Sequence, residues 1–435
     1  MSTYINIFCI YYIFNLQYFC VFFYFEKYIR NHSIFILTFV LFYAYIKNTN
    51  VCKTSREKFH PQKSLSLEHP RKRSQHSTFE HKMNRRIIMN TRERVKRTFS
   101  FEKTDRIARY DIFLPEFADN WRREKNLPSA NLYDHYTNID IGTVLADQEG
   151  PLLSRAELLE DKDGRQLIRD GWGRVVEHHT NAYFELEKTA ILEDKENLDK
   201  LVFDDPGDEN RYVQLGQIAK KNAARFAPVS GVLGLYMGSF RMRGQLEYLF
   251  DMADDPEFCY ALAKHLGEFI KVQGLMVAEA TDTKDTAIWV YDEFSSQRGP
   301  MFSPAFYKKI FMPIYKDIFT YWRENGIKNI VLHCDGNCAA LMDLIIETGF
   351  NGYQSPAPSA GMWLPDLRKK YGKKLVLIGG MCNIRTLATG THKDIKYELD
   401  QLLDVAQDSG VILGTHSIDK DIPVENYDYY DSLLS

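Results

Sequence analysis

The sequence predicts a single α/β domain, a distorted (β/α)8 TIM barrel, preceded by a non-globular N-terminal extension. Three observations carry that prediction. From about Arg92 to Ser435, short aliphatic runs alternate with long amphipathic helical patterns, which calls for parallel strands joined by right-handed crossovers. The aliphatic runs are apolar at nearly every position, as strands covered on both faces must be. No G-x-G-x-x-G or phosphate loop occurs, and the length left for the repeat suits eight strands better than a doubly wound sheet.

Bulk composition agrees. Hydrophobic residues make up 45% and charged residues 26% of the chain, which is globular usage with ample material for a core. The formal net charge of -3 argues against a nucleic-acid partner for the chain as a whole. It averages a basic stretch, Lys47 to Ile88, with eleven Lys/Arg against three Glu, and an acidic remainder. The seven cysteines are too few and too scattered for a disulfide framework, so free thiols in a reducing cytosol are expected.

Residues 1–88 read apart from the rest. "YINIFCIYYIFNLQYFCVFFYF", Tyr4 to Phe25, carries no charge and is long enough to span a bilayer. A shorter apolar run, Ser33 to Ile46, precedes the basic stretch, in the order of an anchor with its positive side in the cytoplasm. It lacks the basic start and small-residue cleavage site of a signal peptide. The Phe/Tyr/Ile/Asn bias is also what translated AT-rich non-coding sequence gives, and Met89 opens "MNTRERVKRTFSFEKTDRIARYD", which reads as a natural start followed by an amphipathic helix. The expected division is therefore 1–88, an anchor or spurious start, and 89–435, the barrel; the expected location is the cytoplasm, membrane-attached only if residues 1–88 form an anchor.

Five strands are expected in order: Ala227–Gly234, Thr286–Phe294, Asn329–Asp335, Lys374–Gly380 and Gly410–His416. "PEFCYALAKHLGEFIKVQGLMVAEA" begins with proline at a helix start. "SPAFYKKIFMPIYKDIFTYW" puts Phe306, Ile310, Ile314 and Ile318 on one face, with Pro313 as an expected kink. "HKDIKYELDQLLDVAQDSG" ends in Gly410 as an expected C-cap. The charged region Glu149 to Glu209 reads as elaborated loops.

In a barrel of this kind the active site lies at the C-terminal ends of the strands. The polar residues interrupting the aliphatic runs fall there: Asp292, Glu293 and Ser296 after one strand, His333 and Asp335 after the next, His416 after the last. His333 and Asp335, two apart, point the same way on a strand; the pair could hold a metal, or the aspartate could orient the histidine as a base. Cys334 points to the other face, and Cys338 reads as part of the following helix. Arg241 and Arg243 follow a further strand end and suit an anionic ligand.

At these residues a family resemblance emerges. "MNTRERVKRTFSFEKTDRI", "MRGQLEYLFDMADDPEF", "DEFSSQRGPMFSPAFYKKIFMPIYK", "LHCDGN", "YGKKLVLIGGMCN" and "GVILGTHSIDKDIPVEN" resemble, in that order, the uroporphyrinogen decarboxylase superfamily, from Met89 nearly to the C-terminus. The resemblance implies a distorted (β/α)8 barrel and either of two activities. One is decarboxylation of a tetrapyrrole without a cofactor. On that reading Asp147, preferred to Asp140, manages the protonated pyrrole, Ser296 and His416 contact substrate carboxylates, and Arg241, Arg243, Asp292 and Glu293 complete the binding site. Two departures stand out: the family's "MRQAGRY" arginine loop has no match here, leaving Arg109 as a partial replacement, and Phe240 stands where the family has a tyrosine. The other activity is zinc-dependent methyl transfer with a corrinoid protein, in which His333, Asp335 and His416 would hold the metal. A non-catalytic tetrapyrrole- or corrinoid-binding barrel is a third reading. The sequence reading leads with a carboxy-lyase acting on a tetrapyrrole-type or similar polyanionic substrate; expected partners are that small molecule, a corrinoid protein on the alternative, and a second copy of the chain. On the leading reading, Asp147→Ala abolishes turnover and leaves the thermal unfolding curve unchanged, which an activity assay and a melting curve on the purified variant check.

Overall fold

Eight strands form one parallel sheet curled nearly into a closed barrel: β1 (Ala108–Tyr110), β2 (Ile141–Leu145), β3 (Ala227–Leu233), β4 (Ile288–Tyr291), β5 (Ile330–His333), β6 (Gly352–Gln354), β7 (Val376–Gly380) and β8 (Val411–Gly414). Their order around the sheet is β1-β8-β7-β6-β5-β4-β3-β2, and every neighbouring pair is parallel. The computed structural model describes residues 88–146, 150–179 and 185–434. Asp147 and the apolar runs near the N-terminus lie outside the described residues. Among the described residues no helix is long and apolar enough to cross a membrane.

The interior is filled from alternate positions of the strands. Tyr110, Ile141, Val229, Trp289, Val331, Ile378 and Ile412 form one cluster, joined from the N-terminal end by Val95 and Phe99 of the helix Thr91–Phe99. Such layered filling makes the barrel a packed core and leaves only its C-terminal rim for chemistry.

No strand ladder joins β1 to β2; the seam is closed through Asp140. Its backbone N–H donates to Arg109 O at 2.9 Å, and its carboxylate accepts from Arg109 N–H, also at 2.9 Å. The same buried carboxylate takes Arg94 Nη1 at 2.5 Å and Arg106 Nη1 at 2.7 Å, while Arg94 also pairs with Asp105 at 2.8 Å. Asp140 therefore stands at the start of β2, the end opposite the rim, which removes it as an alternative to Asp147 in catalysis.

The helices match their sequence patterns. Asp255 caps Pro256–Ala280 by accepting from Phe258 N–H, and Ile310, Ile314 and Ile318 of Pro304–Glu324 are buried together, with Pro313 inside that helix. The helix His392–Ala406 is capped by Gln407, not by Gly410. Gly410 instead turns the chain into β8 at φ 74°, where a Cβ would meet the Phe101 ring. The charged region after β2, expected as loops, holds a four-stranded antiparallel sheet: Glu157–Lys162, Arg165–Arg169, Val175–His179 and Leu186–Thr189 in that order. Its first turn is Asp163-Gly164, both at positive φ, the geometry that D-G favours in a two-residue hairpin.

Removing the Asp140 carboxylate takes one of two carboxylate partners from the buried Arg94, the ion-pair partner from Arg106, and the acceptor from the Arg109 amide at the seam. Breaking a buried pair in this way costs about 3–5 kcal/mol, so Asp140→Ala is expected to lower the unfolding free energy from urea titration by that amount, while Asp282→Ala, on the exposed end of an ion pair with Arg92, changes it little. A wild-type midpoint for Asp140→Ala would show that the barrel closes without it.

Candidate active site

Alternation along the strands decides which polar residues reach the rim. Side chains two apart share a face, so on β4 the inward series Trp289, Tyr291 continues to Glu293. On β5 the series Val331, His333 continues to Asp335, on β6 Gly352 is followed by Gln354, and on β8 Ile412 and Gly414 lead to His416. The register fixes their heights: His333 lies opposite Tyr291 on one side and Gln354 on the other.

These residues meet. His333 Nε2 lies 3.0 Å from Glu293 Oε1, and His333 Nδ1 contacts Gln354 Oε1. Glu293 Oε2 accepts from Asp335 N–H at 3.0 Å. Asp335 Oδ2 stands 3.9 Å from His416 Nε2, whose ring lies 5.4 Å from that of His333 and whose Nδ1 is 3.0 Å from Ser417 Oγ. Tyr291 packs its ring beside that of His333, with 4.5 Å between centroids. The first pair is the drier: the side chains of His333 and Glu293 are 12% and 17% exposed, those of His416 and Asp335 31% and 35%.

Burial sets the electrostatics. It pushes the Glu293 carboxyl up and, helped by the neighbouring Glu293, raises Asp335 to about 6. It pushes both imidazoles down, His333 despite its contact with Gln354 and His416 to about 4 despite Asp335. Desolvation disfavours the charged form of each, so the histidines are neutral near pH 7 and the carboxyls hold their protons more tightly than usual. Among the described residues, none of the four is ion-paired with a lysine or arginine.

Several residues expected at the site are engaged elsewhere. Asp292, one position off the inward series, faces outward and is fully buried. It accepts from Tyr236 N–H at 3.1 Å, Met237 N–H at 2.7 Å and Tyr315 O–H at 2.5 Å, capping the helix Leu235–Arg243 and not facing a substrate. Ser296 donates to Gly299 O at 3.0 Å and accepts from Arg298 N–H at 3.2 Å, which spends its hydroxyl on the Ser295–Pro300 hairpin turn. Arg243 pairs with Asp251 at 2.7 Å and donates to Leu192 O and Glu193 O. Arg241 lies over the Trp172 ring. Arg109, the partial replacement for the missing arginine loop, is buried between Asp111 at 3.1 Å and Asp431 at 2.5 Å. Cys338 precedes the helix Met342–Thr348 instead of belonging to it, and its thiol lies 3.2 Å from that of Cys334 in the packed layer behind the rim. His333, Asp335, His416 and Glu293 are thus brought together; Asp292, Ser296, Arg241 and Arg243 make the contacts given above with other partners.

The residues offered for a metal do not fit one as they stand. Among the described residues no three His, Cys, Asp or Glu side chains are placed to hold a single ion. Both ring nitrogens of His333 already face protein partners, and the donor set is two carboxyls and two imidazoles with no thiol.

Gln354 escapes sequence reasoning because β6 is only three residues long; the signal is "GYQS", a polar side chain closing a short run. Glu293 and Asp292 are separable in the sequence by the period of two.

A family model described as uroporphyrinogen decarboxylase (URO-D) matches residues 215–430. Among solved structures, a methyltransferase from Methanosarcina mazei superimposes with a TM-score of 0.54 at 15% identity, covering 79% of this chain and 98% of that one. A structure from Listeria monocytogenes described as "Putative Vitamin-B12 Independent Methionine Synthase" aligns with a TM-score of 0.34 at 12% identity, over 76% of this chain and 94% of that one. No curated protein matches.

The raised Asp335 carboxyl makes a signed prediction. Between its ordinary value of 3.8 and about 6 the folded chain keeps a proton that the unfolded chain has released, so this group's contribution to stability falls as pH rises through that window. Asp335→Asn is expected to raise the denaturation midpoint near pH 8 and to leave it unchanged near pH 3, as urea titrations at the two pH values would show.

Proposed function

We propose, from the premise that the chain belongs to the uroporphyrinogen decarboxylase superfamily, that it is a methyl-group transferase that works with a corrinoid protein on a neutral or cationic substrate. This takes the methyl transfer and the corrinoid partner of the alternative over the lead, without the zinc that the alternative placed on His333, Asp335 and His416. The observation that favours it is the charge at the rim: Glu293 and Asp335 without a lysine or arginine partner, and two imidazoles that burial keeps neutral. A polycarboxylate meets repulsion there. Each carboxylate brought within about 5 Å of an ionised Asp335 costs about 3 kcal/mol at an effective dielectric of about 20. Of the arginines offered for an anionic ligand, Arg109 and Arg243 are paired with carboxylates inside the protein. The fold likeness to the Methanosarcina mazei methyltransferase is compatible with this reading but does not carry it.

The chain's own groups suit the proton side of such a transfer. When a methyl group leaves its donor, the atom left behind gains an electron pair and a proton stabilises it. The Glu293–His333 contact holds a proton between a carboxyl oxygen and a ring nitrogen, deep in the rim and shielded from water. Asp335 and His416, more exposed than that pair, lie between it and solvent. Trp289 and Val331, one inward position lower, close the floor, so a substrate enters only from the rim. A corrinoid partner supplies the methyl carrier when bound.

The test compares two reactions on the purified protein. Methyl transfer from a panel of neutral and cationic methylated compounds to reduced cobalamin is expected, with kcat reduced about a hundredfold or more in Glu293→Gln and its fold intact by circular dichroism. Uroporphyrinogen is expected to remain undecarboxylated. Decarboxylation of uroporphyrinogen by the wild-type protein, lost in Asp147→Ala, would overturn the proposal and restore the carboxy-lyase reading.

A further inference from the structure

The end of the barrel opposite the rim carries a cluster of exposed lysines. The stretch "RKKYGKK", Arg368 to Lys374, has five basic residues and no acid. It covers the last turn of the helix Leu364–Tyr371 and the short turn Gly372–Lys374 that leads into β7. Arg368 is spent on the scaffold: its guanidinium donates to Gly372 O, Leu375 O and Gly410 O and lies over the Phe101 ring at 5.4 Å. That fixes the turn and leaves Lys369, Lys370, Lys373 and Lys374 exposed. Lys373 Nζ also lies over Phe101, at 5.9 Å, so the exposed Lys103, two residues beyond that ring, extends the same patch. Among the described residues, Lys103, Lys369, Lys373 and Lys374 form no ion pair, and Lys370 meets one carboxylate, Asp343, at 3.9 Å. Glu102 and Asp408 are the exposed acids in the adjoining loops, two against five lysines. A helix C-terminus favours basic side chains, which accounts for Lys369 and Lys370 but not for Lys103, Lys373 and Lys374 outside that helix.

The same end receives the rest of the chain. Met89 is held there, its backbone N–H donating to Asp105 at 3.0 Å and its carbonyl accepting from Arg94 at 2.7 Å. The eighty-eight residues before it contain the charge-free run Tyr4–Phe25 and close with the stretch Lys47–Ile88, eleven Lys/Arg against three Glu. An apolar run of bilayer length followed by a basic stretch is the order that meets an anionic leaflet, and the barrel carries charge of the same sign at the end where that stretch joins it. Like charge excludes the stretch itself as the occupant of the lysine patch. We infer that the N-terminal end of the barrel is a membrane-binding face, on which Lys103, Lys369, Lys370, Lys373 and Lys374 rest against the anionic headgroups of a bilayer while the rim faces away from it. The residue type fits that partner. A lysine ammonium is a compact point charge on a flexible stem, suited to a fluid layer of phosphodiesters, whereas fixed carboxylates on a folded partner favour the planar fork of arginine. The attraction acts only within a Debye length, about 8 Å at physiological ionic strength, so it holds this face close to the headgroups.

The test reads the acylation of each lysine by an amine-reactive ester, using mass spectrometry on the full chain. With vesicles of two parts phosphatidylcholine to one part phosphatidylglycerol, the five lysines are expected to react about tenfold or more slowly than in buffer. Lys393, at the start of the helix after β7, and Lys420, in the segment after β8, are exposed on the rim side and are expected to keep their rates. With phosphatidylcholine alone the five stay reactive, and salt at about 1 M, where the Debye length is about 3 Å, removes the protection given by the mixed vesicles. In the variant Lys369→Gln/Lys370→Gln/Lys373→Gln/Lys374→Gln, with its fold checked by circular dichroism, Lys103 is expected to lose its protection. Equal reactivity of the five wild-type lysines with and without mixed vesicles overturns the inference, as does protection of Lys393 and Lys420 in their place. Protection by a single-stranded RNA and not by the vesicles would replace the bilayer with a nucleic acid and also overturn it. None of these outcomes depends on the reaction that the rim catalyses.

Discussion

A barrel of eight strands has to close, and in this chain closure depends on one carboxylate. The ladder is unbroken from β2 through β3 to β8 and on to β1, and Asp140 spans what remains by pairing both backbone groups of Arg109 while holding Arg94 and Arg106. A second buried aspartate works at the opposite end. Asp111 accepts from Thr415 N–H and Oγ1–H, each at 3.0 Å, and from Tyr427 O–H at 3.2 Å, locking the end of β1 to the end of β8. His416 is the next residue after Thr415, so its place at the rim is inherited from that lock. The seam and the site are one mechanical system, built from acids placed where the backbone lacks partners.

The rim shows how little sequence distance separates scaffold from chemistry. Asp292 and Glu293 are adjacent, both buried carboxyls, and the pleat sends one outward to cap a helix and the other inward to His333. Cys334 stands between His333 and Asp335 on the same terms, its thiol in the packed layer while its neighbours face the mouth. Residue type alone does not assign the role. The face of the strand does.

That distinction decides how much of the fold and of the site is legible in the amino-acid sequence. Strands β3, β4, β5, β7 and β8 are runs of four or more largely aliphatic residues and stand out on that ground, as do the helices with proline at their starts. β1, β2 and β6 do not: "ARY", "IGTVL" and "GYQ" are short, and polar or small residues interrupt them, because their pairing comes from neighbours far along the chain. His333, Asp335 and His416 are legible as polar residues ending aliphatic runs, and Glu293 with them. Asp292, Ser296, Arg241 and Arg243 carry the same signature, but Tyr315 and Trp172, which engage Asp292 and Arg241, come from segments the sequence does not show to be adjacent, and the turn that takes the Ser296 hydroxyl is local. The antiparallel sheet between β2 and β3 looks like loops in the sequence because its strands are charged on their exposed positions, although Asp163-Gly164 marks a hairpin.

The pairing of β1 with β8 brings Ala108 beside Ile412, nearly the whole domain apart in sequence. Contacts that distant form late, since the intervening chain must be brought to order first. While the protein is being made, the first strand therefore waits for a neighbour that leaves the ribosome almost last, and the apolar face of β1 and β2 stays uncovered through most of synthesis. A chain cut short before Val411 is left with an open sheet edge, so the cell meets such a fragment as a client for chaperones or proteases and not as a smaller enzyme.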